Sequence, residues 1–423
     1  MKAASSSFIL VSPESHFPIQ NLPYGVFRRR DGGGAHSGVA IGDFVLDLTV
    51  LEDKGFFDGP MLGNRRPFGA GRLNAFLSLG KDAWTEARST ISRLLRADEA
   101  RLRDDAALRG NVLIPRAEVV MELPLDIGDY SDFYSSLEHA TNVGTMLRGA
   151  DKALQPNWRY LPVAYHCRAS SIVVSGHDFP RPRGQTKPDG ADAPIFGPTR
   201  ALDFELEMGA VVGVGNRLGE PIRIAEARDH VFGLVLLNDW SARDIQAWEY
   251  VPLGPFLSKS FCTTISPWVV TLEALEPFRV AGPVQEPTPL PYLSTEGPQS
   301  YDIHLEVHLQ TGKMDRPQRI CAANYKHLYW SLAQQVAHHT VAGCNLRPGD
   351  LLGSGTISGP TPDSFGSLLE LTWRGARPLT LPNGEQRSFL QDGDAVTLTG
   401  WAQGDGYRIG FGEATGRVLL PAV

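Results

Sequence analysis

Glycine and proline punctuate this chain so often that they disfavour a helix bundle as its framework. Its 423 residues include 44 glycines and 31 prolines, and between them lie short runs rich in β-branched residues. Glycine supplies the positive φ of tight turns and proline interrupts helical hydrogen bonding, so these runs read as short strands joined by turns. Pro382-Asn383-Gly384, and Asp405-Gly406 between residues 397–403 and 407–411, are hairpin turns on this reading. Asn-Gly and Asp-Gly tolerate the positive φ that such turns require. Residues 232–237 form the continuous apolar run of a fully buried strand, which ends in Asn238-Asp239.

A chain about three times the length of a typical domain is expected to hold two domains, at most three. Residues 39–48 alternate loosely and predict one strand. From Lys81 the period changes, and Trp84, Ala87, Ile91, Leu94 and Leu95 make one apolar helical stripe. The charged stretch 96–109 and Pro115 mark a boundary near residue 118. Strands dominate beyond it, interrupted by Pro-rich loops at 181–198 and 283–298. The expected class is mainly β (α+β), with a small N-terminal β unit over 1–118 and a large β-rich domain over 119–423.

Composition removes several function classes. Lys+Arg is 40 against Asp+Glu 47, a net charge of −7, whereas a general nucleic-acid binder needs a basic face. No apolar run approaches the length that spans a bilayer, and Phe8-Ile9-Leu10-Val11 is too short for a secretory signal. Cys167, Cys262, Cys321 and Cys344 show no CxxC spacing, which suits a reducing compartment. The expectation is a cytoplasmic globular protein with neither a nucleic-acid nor a membrane partner.

Asp203, Glu205 and Glu207 alternate with apolar residues, so a strand would set all three on one face. That face is either the solvent side of a half-buried strand or part of a carboxylate site. Asp239, closing the apolar run, is either a helix cap or a metal ligand. Arg243, Gln246 and Tyr250 stand at i, i+3 and i+7, one face of a short helix. They form a donor-rich wall for an anion or a surface patch. His139 follows a polar, aromatic stretch (129–136), but a lone histidine is more often structural, as are His338 and His339. Gly213-Val214-Gly215 lacks a third glycine and a following helix, and no nucleophile elbow or P-loop occurs. Carboxylates with cationic and aromatic neighbours suit a hard cation with oxygen ligands rather than zinc. They name no substrate.

The segments DYSDFYSSLEHATNVGTMLRG (129–149), LPVAYHCRASSIVVSG (161–176), NDWSARDIQAWEYVPLGPFLSKSF (238–261), GCNLRPGDLLGSGTISG (343–359) and SFGSLLEL (364–371) closely resemble the fumarylacetoacetase family. The likeness runs through nearly the whole chain from about residue 120 and more weakly before it. It implies a homodimer whose subunits carry a small SH3-like barrel followed by a β-rich catalytic domain of the fumarylacetoacetase type. The implied substrate is a small diketo acid, 4-fumarylacetoacetate, hydrolysed at a carbon–carbon bond to fumarate and acetoacetate. The implied cofactor is Ca²⁺ or Mg²⁺, with Asp132, Glu205, Glu207 and Asp239 matching its ligands and Lys259 and Thr263 matching positions beside it. Tyr134, Arg148, Tyr165, Gln246, Tyr250 and Thr356 match substrate-binding positions. His139 and Glu370 match the catalytic pair, joined by Arg243, Gln246 and Lys259.

By this resemblance His139, oriented by Glu370, is the general base on water, and Arg243, Gln246 and Lys259 stabilise the oxyanion. Four carboxylates carry −4, and one divalent cation with Arg243 and Lys259 returns +4. Two rival readings share the scaffold: an acylpyruvate hydrolase, hydratase or decarboxylase, and a dimeric binding protein without chemistry. Cys167 and Cys262 stand where the family carries glycine. Cys262, near Lys259 and a cation, is either an activated thiol open to alkylation or an inert core cysteine.

Overall fold

The computed structural model describes residues 6–188 and 190–422. Five antiparallel strands make the N-terminal sheet, in the order Leu113–Pro115, Phe44–Asp47, His36–Ile41, Tyr24–Arg29 and Val119–Glu122. Its two outer strands are joined only by the turn Arg116–Glu118. Laid flat, five strands about 4.8 Å apart would separate their edges by about 19 Å. Four Cα steps span at most about 14 Å, so the sheet curls toward a barrel. The helix Lys81–Leu95 buries its predicted stripe of Trp84, Ala87, Ile91, Leu94 and Leu95.

Two local expectations change here. The single strand expected over 39–48 is a hairpin, His36–Ile41 pairing with Phe44–Asp47 across Gly42-Asp43. Apolar residues continue on both sides of that turn, and Gly42, at φ 55°, is its only local mark. The charged stretch expected to mark a boundary carries two short helices, Ala100–Arg103 and Ala106–Val112. Val119–Glu122 pairs with Tyr24–Arg29, so the N-terminal sheet extends past residue 118.

The larger unit is built on an eight-stranded mixed sheet. Seven strands run in the order Ala164–Cys167, Tyr130–Phe133, Leu351–Gly353, Leu206–Val212, Val231–Asp239, Thr263–Ile265 and Ile172–Val174. Val270–Thr271 adds to Val231–Asp239. A second sheet orders Gln318–Asn324, His304–Gln310, Ala395–Gln403, Arg408–Leu419 and Phe179–Pro180. Both expected hairpins are present, with Gly384 at φ 82° and Gly406 at φ 74° in their turns. The expected loop 181–198 contains a further short hairpin, Arg183–Thr186 with Ile195–Pro198.

Period-2 alternation divides the central sheet's two faces. Leu206, Met208, Leu234 and Leu236 share a core with Leu305, Val307, Val396 and Leu398 of the second sheet. Val211, Val235, Leu237 and Ile265 point the other way and share a core with Tyr24, Phe76, Trp84 and Ile91 of the N-terminal unit. Trp84 and Tyr24 meet the Phe232 ring edge-on at centroid distances of 5.2 and 5.3 Å. Tyr24 and Val269 also exchange backbone hydrogen bonds of 2.9 and 2.7 Å. By the same alternation Asp132, Glu207 and Asp239 lie on this second face, beyond its apolar rows. Among the described residues, no helix is long and apolar enough to cross a membrane.

Candidate active site

Four buried carboxylates converge where the central strands end. Asp132, Glu205, Glu207 and Asp239 each place an oxygen within 4.8 Å of the others. Burial removes the solvent-facing alternative for Asp203, Glu205 and Glu207. Lys259 Nζ donates to Glu205 Oε2 at 2.5 Å and Asp239 Oδ2 at 2.6 Å. Arg243 donates to Glu205 Oε1 at 2.7 Å and through Nε to Asp203 Oδ2 at 2.8 Å. Thr263 Oγ1 and the Tyr165 hydroxyl donate to Asp239 at 3.1 and 3.3 Å. Gly355 N donates to both Asp132 and Glu207 at 3.1 Å. A side chain at Gly355 would strike Phe133 O at 2.1 Å, and its φ is 75°. Glycine is therefore required there twice over.

The charges in this cluster do not balance. Glu205 remains ionised: burial would raise its pKa, but Lys259 and Arg243 draw it below the usual carboxylate range. Asp132 has no contacting cation, and burial beside Asp239 pushes it up to about 8. Burial and the charges of Asp132 and Glu205 push Glu207 well up. Glu207 Oε1 is buried and has no hydrogen-bond partner among the described residues. Buried carboxylates are normally paired, neutral or metal-bound, so this donor set fits a divalent cation. Its oxygens lie within the roughly 5 Å diameter of a Ca²⁺ coordination shell. Asp203 joins the same ion network through Arg243 and adds a fifth carboxyl group to the four of the sequence reckoning.

His139 sits in the first turn of the helix Leu137–Arg148, capped by Ser136. Its Nδ1 lies 2.7 Å from Glu370 Oε2, and both residues are buried. Asn142, Ser358 and Ser367 donate to the same carboxylate at 2.8–3.0 Å. Although burial opposes ionisation, His139 and these donors hold Glu370 below its usual pKa. An ionised Glu370 only accepts, so Nδ1 carries a proton, and in the neutral ring the lone pair is then on Nε2.

A cleft of about 640 Å³ gathers the rest. Asp132, Tyr134, His139, Arg148, Tyr165, Glu205, Arg243, Gln246, Tyr250, Lys259 and Thr356 all line it. Glu207, Asp239 and Glu370 are not in its lining but stand in contact with residues that are, and Thr263 lies behind them on Asp239. The predicted helix face is present, Arg243–Glu249 with Tyr250 as its C-cap. Arg243 donates to Gln246 Oε1 at 3.2 Å, which leaves the Gln246 amide nitrogen free to donate elsewhere. Arg148 is held by the carbonyls of Lys152 and Ala153 at 3.1 and 2.6 Å. His338 and His339 bond Tyr292 and Ser131, in keeping with structural roles. Sequence reasoning missed Asn142, Ser358, Ser367 and Gly355, and also Arg374, which lines the cleft at φ 58°. A non-glycine residue held at positive φ in a cleft was the available signal for Arg374 only once a backbone existed.

The activated-thiol alternative for Cys262 does not survive. Its side chain is 2% exposed, within the core between the two sheets. Burial pushes the thiol up to about 12, with Thr264 opposing and Asp239 adding to the rise. Burial likewise raises Cys167 strongly. In the native enzyme a maleimide should therefore label exposed Cys344 first and leave Cys262 unlabelled, with activity retained. Peptide mapping by mass spectrometry reads this directly, and rapid native labelling of Cys262 would contradict it.

The profile described as Fumarylacetoacetate (FAA) hydrolase C-terminal matches residues 130–419, and that described as Fumarylacetoacetase N-terminal matches 20–124. A fumarylacetoacetase of Arabidopsis thaliana is 57% identical over 417 residues, covering 99% of either chain. One of Homo sapiens is 57% identical over 414 residues, covering 98% of either chain. The solved fumarylacetoacetate hydrolase of psychrophilic Exiguobacterium antarcticum shares the fold, with a TM-score of 0.52 at 16% identity over 94% of this chain and 99% of that one. Matches to both family halves, in order and with this identity along almost every residue, place the chain in the fumarylacetoacetase family.

Proposed function

We propose that the chain hydrolyses 4-fumarylacetoacetate to fumarate and acetoacetate, the last step of tyrosine and phenylalanine degradation. The observation that carries this reading is one cleft lined by both His139, braced by Glu370, and the carboxylate cluster. Identity of 57% to named fumarylacetoacetases favours this over the acylpyruvate-type chemistries and over a binding protein without turnover. Hydrolysis of fumarylacetoacetate, assayed with and without a chelator, tests it.

In this mechanism His139 Nε2 takes a proton from water, and the resulting hydroxide adds to the substrate carbonyl. Glu370 holds the ring and stabilises the imidazolium that forms. The buried terminal nitrogen of Arg243 that lacks a partner, the Gln246 amide and Lys259 face the developing oxyanion. The bond to the departing methylene carbon then breaks, and that carbon gains a proton to give acetoacetate. Asp132, Glu205, Glu207 and Asp239 would hold Mg²⁺ or Ca²⁺, which supplies Lewis-acid charge for a 1,3-dioxo group. Lys259 and Thr263 brace those ligands as donors. Tyr134, Arg148, Tyr165, Tyr250 and Thr356 surround the substrate, with Arg148 set against a carboxylate.

Arg148 and Arg243 separate the two halves of this scheme. Arg148→Met should raise KM with kcat nearly kept, because a substrate carboxylate is present in ground and transition states alike. Arg243→Met should depress kcat, because its partner is charge that develops during reaction. Steady-state kinetics giving the reverse pattern would exchange the two roles.

The same reading takes the protein as a cytoplasmic homodimer. Four unpaired cysteines are consistent with a reducing compartment, and native mass measurement tests the dimer. The two structural units are taken to divide within residues 125–129, between the two family matches.

A further inference from the structure

We propose that Asp203 is a positioning residue that fixes the guanidinium of Arg243 and the turn bearing Glu370 to one another. The proposal rests on the roles given above to Arg243, His139 and Glu370. Asp203 is fully buried. Its Oδ1 accepts from Leu368 N at 2.7 Å and Phe204 N at 2.9 Å. Its Oδ2 accepts from Leu369 N at 3.0 Å and Arg243 Nε at 2.8 Å. Each oxygen thus receives two donors, which fills the acceptor capacity of a carboxylate.

One donor is the neighbouring Phe204 amide, and the other three come from two separate segments that meet at this carboxylate. Leu368 and Leu369 open the short helix Leu368–Leu371, whose third residue is Glu370. Arg243 opens the helix Arg243–Glu249. Backbone pairing reinforces the link, since Leu202–Asp203 pairs with Ser241–Ala242 and Arg243 N donates to Ala201 O at 2.9 Å. A displacement of the turn would move Glu370, and with it His139, relative to Arg243. A shift of about 1 Å in such a constellation costs about 100-fold in rate.

An asparagine here cannot reproduce the arrangement. Whichever way its amide is turned, its NH₂ faces two donors: either Arg243 Nε–H and Leu369 N–H, or Leu368 N–H and Phe204 N–H. Asp203→Asn should therefore lower kcat by about 10–100-fold. KM should stay within about 2-fold, and Mg²⁺ affinity, measured by direct titration, should not change.

A structural role alone would not predict the second result. In the pair Asp203→Asn and Arg243→Met the losses in kcat should fail to multiply, because Asp203 acts partly through Arg243. The proton resonance of His139 Nδ1–H should also shift in Asp203→Asn. Parent-like kcat in a folded Asp203→Asn enzyme, or full multiplication of the two losses, overturns the proposal. Should that variant not fold, Asp203→Ser takes its place, retaining one acceptor for the turn. Misfolding of both, seen by circular dichroism, overturns it in favour of a purely architectural carboxylate. Normal turnover in His139→Ala and Arg243→Met would instead refute the functional reading. Slow turnover in those two with fast turnover in Asp203→Asn refutes the coupling alone.

Discussion

His139→Ala should lower kcat by about 10²–10⁴-fold, the contribution typical of a positioned general base. Cation binding should be retained, because His139 lies outside the carboxylate cluster. The loss should be partly reproduced by Glu370→Gln. An amide in that place can still accept from Nδ1–H, but it cannot balance an imidazolium, and it sets an NH₂ among the donors from Asn142, Ser358 and Ser367. Single-turnover kinetics with fumarylacetoacetate separate this chemical step from binding. Near-normal turnover in the alanine variant would assign water activation to another group.

Removal of the divalent cation should abolish turnover, and Mg²⁺ or Ca²⁺ should restore it. Full activity in a rigorously metal-free sample would refute the assignment. The carboxylate charges add a pH signature. Asp132 is held up to about 8 in the metal-free protein by burial and by Asp239, so near neutrality it keeps its proton. Cation binding must displace that proton. Affinity should rise with pH up to about 8, and calorimetry in buffers of different ionisation enthalpy should record proton release. A carboxyl raised in the folded state lends stability below the ordinary carboxylate range, and that stability is lost as pH climbs toward the raised value. The metal-free protein should therefore lose thermal stability from about pH 4 to 8 through this group, while the loaded protein does not. Cation binding without proton release at pH 7 would show that the cluster is already ionised.

Local periodicity made part of this molecule legible. The run 232–237 is the buried strand it resembles, and the stripe from Trp84 to Leu95 is a buried helix face. The Asn-Gly and Asp-Gly turns follow from backbone φ alone. Where a turn interrupts a run without breaking its hydrophobic pattern, as at Gly42, the pattern reads through it. The site is a different kind of object. His139 has no local sign of purpose because its partner Glu370 lies 231 positions away. Asp203, Glu205 and Glu207 do not lie on one continuous strand, since Leu202–Asp203 and Leu206–Val212 belong to different sheets, and alternation cannot tell solvent from a buried ion network. Only the resemblance of long segments brought these residues onto one page. It was silent on Asn142, Ser358 and Ser367, whose hydroxyls and amide matter only after the chain has closed around Glu370.

Those long separations bear on how the protein comes to exist. Asp132 and Glu207 receive their shared backbone donor from Gly355, and Glu370 reaches His139 from later still. A nascent chain of 350 residues already contains all four carboxylates together with Arg243 and Lys259, but neither the Gly355 amide that Asp132 and Glu207 share nor Glu370. Such a chain would hold a half-made strand end that stays open to water until synthesis passes residue 370. Contacts of this range are slow to form and leave apolar strand edges open meanwhile. Premature termination or slow translation late in the message would thus yield not a partial enzyme but an aggregation-prone chain, the natural client of a chaperone.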